Sequence, residues 1–187
     1  EIMRHTLTAQ VLARAVKNLF PGTKLAIGPT ITDGFYYDFE FKKAISPEDL
    51  GSIEKEMKKI ISSNSAITKK LNTKEEAIEI FKLEEEPYKE SIINDSEQED
   101  GFQLYYQDDS KFVDLCRGPH IPSLKHIGAF KLLKIAGAYW KGDSNNKMLT
   151  RIYGTAWKNE KDLSAYLDRI EEAEKRDHRK LGKEMNL

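Results

Sequence analysis

Leu7, Val11, Leu12, Ala15, Val16 and Leu19 recur every three or four residues until Pro21-Gly22 stops the run, which predicts an amphipathic helix capped by Thr6 or Thr8. Residues 24–28 read as a short strand running into Gly28-Pro29. From Gly34 to Phe41 the pattern changes to strict alternation, with Phe35, Tyr37, Phe39 and Phe41 on one face and Tyr36, Asp38 and Glu40 on the other, a half-buried strand. Ser46-Pro47-Glu48-Asp49 opens a helix to about Ser62, and Thr73-Lys74-Glu75-Glu76 is a capping box opening a shorter one to about Lys82. The stretch from Asn94 to Gly101 has no apolar period and predicts a loop. Four further strands follow, at 102–106, 111–116, 130–135 and 148–153, the first pair joined through Asp108-Asp109-Ser110 and the second across a polar turn at 141–147. From Asn159 to about Lys183 a long charged helix carries only a narrow stripe, Leu163, Tyr166, Leu167 and Ile170, which fades after Ala173. The sum is an α+β fold, an antiparallel sheet with helices packed on one side, spanning residues 1–158, and a helix at 159–187 that docks and then leaves it.

Reactive side chains concentrate in Phe112-Val113-Asp114-Leu115-Cys116-Arg117-Gly118-Pro119-His120. A period of two puts Asp114 and Cys116 on one face and Val113 and Leu115 on the other, and Gly118-Pro119 turns His120 back towards Cys116. Asp, Cys and His at a strand end suit metal binding, water activation or thiol chemistry. They equally suit a buried inert thiol and a hydrogen-bonded turn histidine.

Composition narrows this little. The chain has 187 residues, enough for one domain with a real core, and a net charge of -1, which does not advertise a nucleic-acid binder. Its charges are segregated, however. Between Leu124 and Arg151 the bases Lys125, Lys131, Lys134, Lys141, Lys147 and Arg151 face the single acid Asp143, whereas from Glu84 to Asp109 Lys89 is the one base in an acidic run. Such segregation fits a local phosphate-facing patch and fits a solvated surface equally. One cysteine excludes an internal disulfide framework and fits a reducing cytoplasm. No segment approaches the ~20 apolar residues of a membrane span, so a soluble protein without membrane partners is expected. Both ends read as cut from a longer chain.

The runs Ala136-Gly137-Ala138-Tyr139-Trp140-Lys141-Gly142-Asp143-Ser144-Asn145-Asn146-Lys147-Met148-Leu149 and Arg151-Ile152-Tyr153-Gly154-Thr155-Ala156-Trp157 closely resemble the bacterial-type threonyl-tRNA synthetase family. So do Ala26-Ile27-Gly28-Pro29, Gly34-Phe35-Tyr36-Tyr37-Asp38 and the Asp114-to-His120 stretch. The resemblance runs end to end and corresponds to the editing domain plus the start of the linker helix, Lys175-Arg176-Asp177-His178-Arg179-Lys180-Leu181-Gly182. It implies hydrolysis of seryl-tRNA(Thr) made by mistake, since serine lacks one methyl of threonine and a methylene supplies only ~1–3 kcal/mol of discrimination. Partners implied are the acceptor end of tRNA(Thr) carrying serine and the rest of the synthetase in cis. The parent enzyme is expected to be a homodimer and the fragment a monomer. ATP, magnesium and zinc would belong to the absent catalytic core.

By the same resemblance the pocket holds a His-x3-His pair, a Cys-x3-His pair, a lysine and an aspartate. Cys116 and His120 match the second pair, Lys89 the lysine, Asp114 the aspartate, and Tyr37 an aromatic lining the pocket. The first pair departs from the pattern. Counted back from Ala26, its positions fall on Thr6 and Gln10, with His5 one residue early, and one residue on a helix is ~100° of rotation. With Thr6 or Thr8 as cap, His5 would lie in a non-helical lead-in able to fold back over the pocket. Cys116, His120 and His5 make a poor zinc set beside Gln10, so metal-free water attack is expected, with no metal or cofactor for editing. His5 or His120 is the candidate base and Lys89 faces the oxyanion. Asp114 holds the substrate ammonium or a histidine, and Cys116 forms a passive wall. Lys131, Lys134, Lys141 and Arg151 are candidate tRNA phosphate contacts, Tyr139 and Trp140 are candidates for stacking or for core, and core is the assignment for Trp140. The alternative is an editing-deficient module that positions tRNA.

Overall fold

The structure, a computed structural model, describes residues 2–107, 111–116 and 123–185, with side chains of the last helix as far as Asp177. In chain order its elements are α1 (Ile2–Leu19), β1 (Lys24–Leu25), β2 (Thr30–Ile31), β3 (Gly34–Glu40), α2 (Asp49–Ser63), β4 (Thr68–Asn72), α3 (Lys74–Leu83) and α4 (Pro87–Asp95). Then come β5 (Phe102–Gln107), β6 (Phe112–Leu115), β7 (Ala129–Tyr139), β8 (Met148–Trp157) and α5 (Glu160–Met185). The fold is α+β with antiparallel strands, but these divide into two sheets. One runs β1-β3-β8-β7, with β2 also paired to β3, and the other runs β4-β5-β6.

The helix α1 is the centre of the molecule. Every residue from His5 to Val16 is buried, polar ones included, so the expected amphipathic helix has no solvent face along that length. Leu7, Val11 and Leu12 join the core built with Phe35, Tyr37 and Phe39 of β3 and Ile53, Met57 and Ile60 of α2. On another side Arg14 donates to the Gln107 side chain of β5 at 3.4 Å. Neighbours on several sides demand a polar residue wherever a polar group faces it, and this blurred the period seen in the sequence.

The two threonines expected to cap α1 lie within it. Their hydroxyls donate back along the helix, Thr6 to the Ile2 carbonyl at 2.8 Å and Thr8 to that of Arg4 at 2.6 Å. The helix starts at Ile2, and His5 is therefore helical rather than part of a lead-in. At Thr73 the capping box is complete, with reciprocal bonds between Thr73 and Glu76 at 3.2 and 2.9 Å.

Besides the two-residue β2, two elements were invisible in the pattern. In β4 residues 68–71 are all exposed, so this edge strand shows no apolar alternation. In α4, Pro87 occupies the first turn inside an acidic run, and only Ile93 and Lys89 are buried. Ile93 joins Ala77, Phe81, Phe102, Leu104 and Val113 in a second, smaller core between α3, α4 and the second sheet. The hairpin of β7 and β8 is longer than expected, pairing from Ala129 and Trp157 to Tyr139 and Met148. Its far half, Ala136-Gly137-Ala138, carries too little side chain to announce a strand. Among the described residues no helix is long and apolar enough to cross a membrane.

Candidate active site

Alternation along β6 places its side chains in two environments, as expected. Val113 points into the second core, while Phe112 and Asp114 turn towards α1 and β3. Asp114 is 1% exposed, and three donors surround it among the described residues. Lys89 of α4 reaches Oδ1 with its Nζ at 2.7 Å, the Leu115 N–H donates to the same oxygen at 2.7 Å, and the Tyr37 hydroxyl donates to Oδ2 at 2.7 Å. The Lys89 ammonium lies 5.2 Å from the centroid of the Tyr37 ring, and its side chain is only 3% exposed. One residue from each of β3, α4 and β6 thus meets in a buried ion pair capped by a phenol. Burial pushes the Tyr37 hydroxyl well above its ordinary pKa, and the Asp114 charge and hydrogen bond add to the rise, so it remains a donor.

Above this pair opens a cleft of about 400 Å³, lined by Thr6 of α1, Ile27, Gly28 and Pro29 of the loop after β1, Lys89 and Ile92 of α4, and Cys116. Gly28 is needed where it stands. A Cβ there would come within 2.2 Å of the Tyr37 ring, so the loop backbone lies directly on the aromatic that holds Asp114. Cys116 is half-buried, its N–H bonded to the Gln103 carbonyl at 3.2 Å.

The structure therefore brings together Lys89, Asp114, Tyr37, Thr6 and Cys116. His5 is 2% exposed and packs against the Phe35 ring, centroids 6.1 Å apart, so Thr6 rather than His5 forms the cleft wall. Gln10, one turn along α1 from Thr6, is 3% exposed, and among the described residues neither its amide oxygen nor its nitrogen has a hydrogen-bond partner. His120 and the Arg117-Gly118-Pro119 turn lie outside the described residues.

Sequence reasoning missed Glu86. This carboxylate, 2% exposed, accepts from Lys17 of α1 at 2.5 Å and from the Leu25 N–H of β1 at 2.7 Å, immediately before the helix that carries Lys89. An acid directly preceding Pro87 was the available signal, obscured by its neighbours Glu84 and Glu85.

A family described as the threonyl and alanyl tRNA synthetase second additional domain matches residues 103–153, the segment from β5 into β8 that contains Asp114 and Cys116. Over all 187 residues the chain is 54% identical to a threonine–tRNA ligase of Hahella chejuensis, 50% to one of Prochlorococcus marinus and 55% to one of Legionella pneumophila. The chain carries the second additional domain and resembles threonine–tRNA ligases along its whole length. The chain spans 29% of the length of those relatives, all of its own residues being covered.

The bases proposed to face tRNA are spread around this second additional domain and mostly engaged. Arg151 of β8 holds Asp38 through two bonds, at 2.8 and 3.0 Å, and lies 3.8 Å over the Tyr36 ring. Lys131 pairs with Glu54 at 3.3 Å, Lys134 sits 4.7 Å over the Tyr153 ring, and Lys141 pairs with Asp95 at 2.5 Å. Trp140 is half-buried with its ring against Tyr88, centroids 4.8 Å apart, while Tyr139 is 40% exposed.

Proposed function

We propose that this domain hydrolyses seryl-tRNA(Thr), water attacking the aminoacyl ester in the cleft above Lys89. The observation that carries the reading is the buried Lys89, Asp114 and Tyr37 cluster at the base of that cleft. An ammonium held in a site shielded from water stabilises a developing oxyanion far more than one in solvent does. Both Asp114 oxygens are already engaged by Lys89, Leu115 and Tyr37, which favours Asp114 as the holder of Lys89 over a role in binding the substrate ammonium. Thr6 and Cys116 form the walls that admit serine and crowd the extra methyl of threonine. His120 is assigned as general base on the family pattern.

The reading uses no metal, and dialysis against a chelator is expected to leave hydrolysis unchanged. The partners are the serine-bearing acceptor end of tRNA(Thr), with Lys131, Lys134, Lys141 and Arg151 as candidate phosphate contacts, and the remainder of the synthetase in cis, in the cytoplasm. ATP, magnesium and zinc serve that remainder.

Single-turnover deacylation of seryl- and threonyl-tRNA at high protein concentration tests this, beside Lys89→Ala and His120→Ala. Faster loss of serine than of threonine, reduced in both variants, is expected. No hydrolysis despite measured tRNA binding would favour a module that positions tRNA without chemistry. Thr6 and Gln10 at the positions of the family's histidine pair are what support that second reading.

A further inference from the structure

Glu86 is a buried acid that the proposed chemistry does not use. Its carboxylate joins α1 through Lys17 and β1 through the Leu25 N–H. Lys17 in turn donates to the Thr23 carbonyl at 3.2 Å. The backbone of Glu86 continues the arrangement, its N–H donating to the Phe81 carbonyl at 2.9 Å and its carbonyl accepting from the Glu90 N–H at 3.2 Å. Next to it, Lys24 donates to the Glu85 carbonyl at 2.8 Å. Two elements, α1 and β1, therefore meet at the carboxylate of Glu86, whose backbone forms the corner between α3 and α4. One turn further along α4 is Lys89.

The rest of α4 is held differently, at its last residue through Asp95 and at its second through Tyr88. Lys141 pairs with Asp95, and Trp140 packs on Tyr88, whose hydroxyl donates to Glu40 at 2.9 Å. These contacts are exposed or half-buried and are screened by solvent and salt. The contact made by Glu86 is dry on the carboxylate side, 3% exposed, and is less screened than these.

From this geometry we infer that Glu86 is a positioning residue for editing: it fixes the start of α4 on α1 and β1 and thereby sets Lys89 against Asp114 at the cleft base. The inference rests on the editing reading for its kinetic consequence, and on the structure alone for its geometric one. Glu86 does not touch the cleft, so it acts through Lys89. Asp114 and Tyr37 lie close enough for the Glu86 charge to be felt by both.

The test uses this chain with Glu86→Gln, which keeps an acceptor for the Leu25 N–H and removes the charge facing Lys17. The single-turnover rate on seryl-tRNA is expected to fall roughly 10- to 100-fold, the range a small misplacement of a reacting group produces, with little change in half-saturating protein concentration. In a Lys89→Ala background the same substitution should have no further effect on rate. Nitrogen NMR of the Lys89 ammonium should show a slowly exchanging signal that is lost or shifted in Glu86→Gln.

An unchanged rate together with an unchanged Lys89 signal overturns the inference. So does an equal loss of rate in the presence and absence of Lys89, which would mean that Glu86 acts by another route. If the unsubstituted chain hydrolyses nothing, the editing reading fails by itself. The ammonium signal then decides the positioning role alone.

Discussion

Tyr37 does two things at once: its ring forms a face for the Lys89 ammonium, and its hydroxyl donates to Asp114. Tyr37→Phe keeps the first and removes the second, leaving Oδ2 of a buried carboxylate without its donor, so about 1–3 kcal/mol of stability should be lost in urea unfolding. Gly28 is tied to the same ring. Gly28→Ala forces the loop or the ring to move, because the new Cβ would sit 2.2 Å from it, and a cost of about 1–3 kcal/mol is expected, with a lowered urea midpoint as the readout. Glu86 adds a pH dependence. Burial raises its pKa above 4.5, the Lys17 and Leu25 hydrogen bonds pull the other way, and Asp114 adds to the rise. The folded state then holds the proton more tightly than the unfolded chain, so the contribution of Glu86 is complete below 4.5 and is lost as pH rises through its folded value. Urea unfolding against pH should show the difference in stability between the parent chain and Glu86→Gln falling as pH is raised from 4.5. A difference constant across that window would contradict the sign.

Elements differ in how openly their sequences announce them. Thr73-Lys74-Glu75-Glu76 specifies the start of α3 by chemistry that is local and therefore readable, and Thr73→Ala should cost about 1 kcal/mol through loss of the cap, seen as a lower thermal midpoint by circular dichroism. Alternation in β3 and β6 was equally readable, because the two faces of each strand meet different surroundings and a period of two separates them. By contrast α4 is a short helix held by its neighbours: Glu86, Lys24 and, through Tyr88, Trp140 near its start, and Lys141 through Asp95 at its end. Nothing local in Pro87 to Asp95 announces those partners. The strand β4 exists because β5 offers it a ladder from Thr68 against Tyr106 to Asn72 against Phe102, a partner beyond the reach of any window.

At the scale of the whole molecule, Asp114 ties together the two sheets and α4, since it belongs to the second sheet, accepts from Tyr37 of the first and pairs with Lys89 of the helix. Removing one member alone, as in Lys89→Met or Asp114→Leu, leaves an uncompensated buried charge and should cost about 3–5 kcal/mol. The double variant Lys89→Met/Asp114→Leu restores an apolar contact, so much of that loss should be recovered while seryl-tRNA hydrolysis remains abolished. Recovery of stability without recovery of activity would separate the work of the pair in the proposed chemistry from its work in the fold. If the double variant is as unstable as the singles, the pair holds α4 to the second sheet by geometry that hydrophobic side chains do not supply.

The sequence by itself determined the α+β class, the capping box at Thr73 and the faces of β3 and β6, and it pointed to Asp114 and Cys116 by pattern and to Lys89 and Tyr37 by resemblance alone. These are either local in cause or carried by long motifs. Only the tertiary structure decided that α1 is enclosed rather than amphipathic, that Thr6 takes the cleft wall while His5 turns to Phe35, and that Glu86 anchors the helix bearing Lys89. Each of these depends on which surfaces meet across the fold, and a polar side chain gives no sign along the chain of whether solvent or another buried group will answer it.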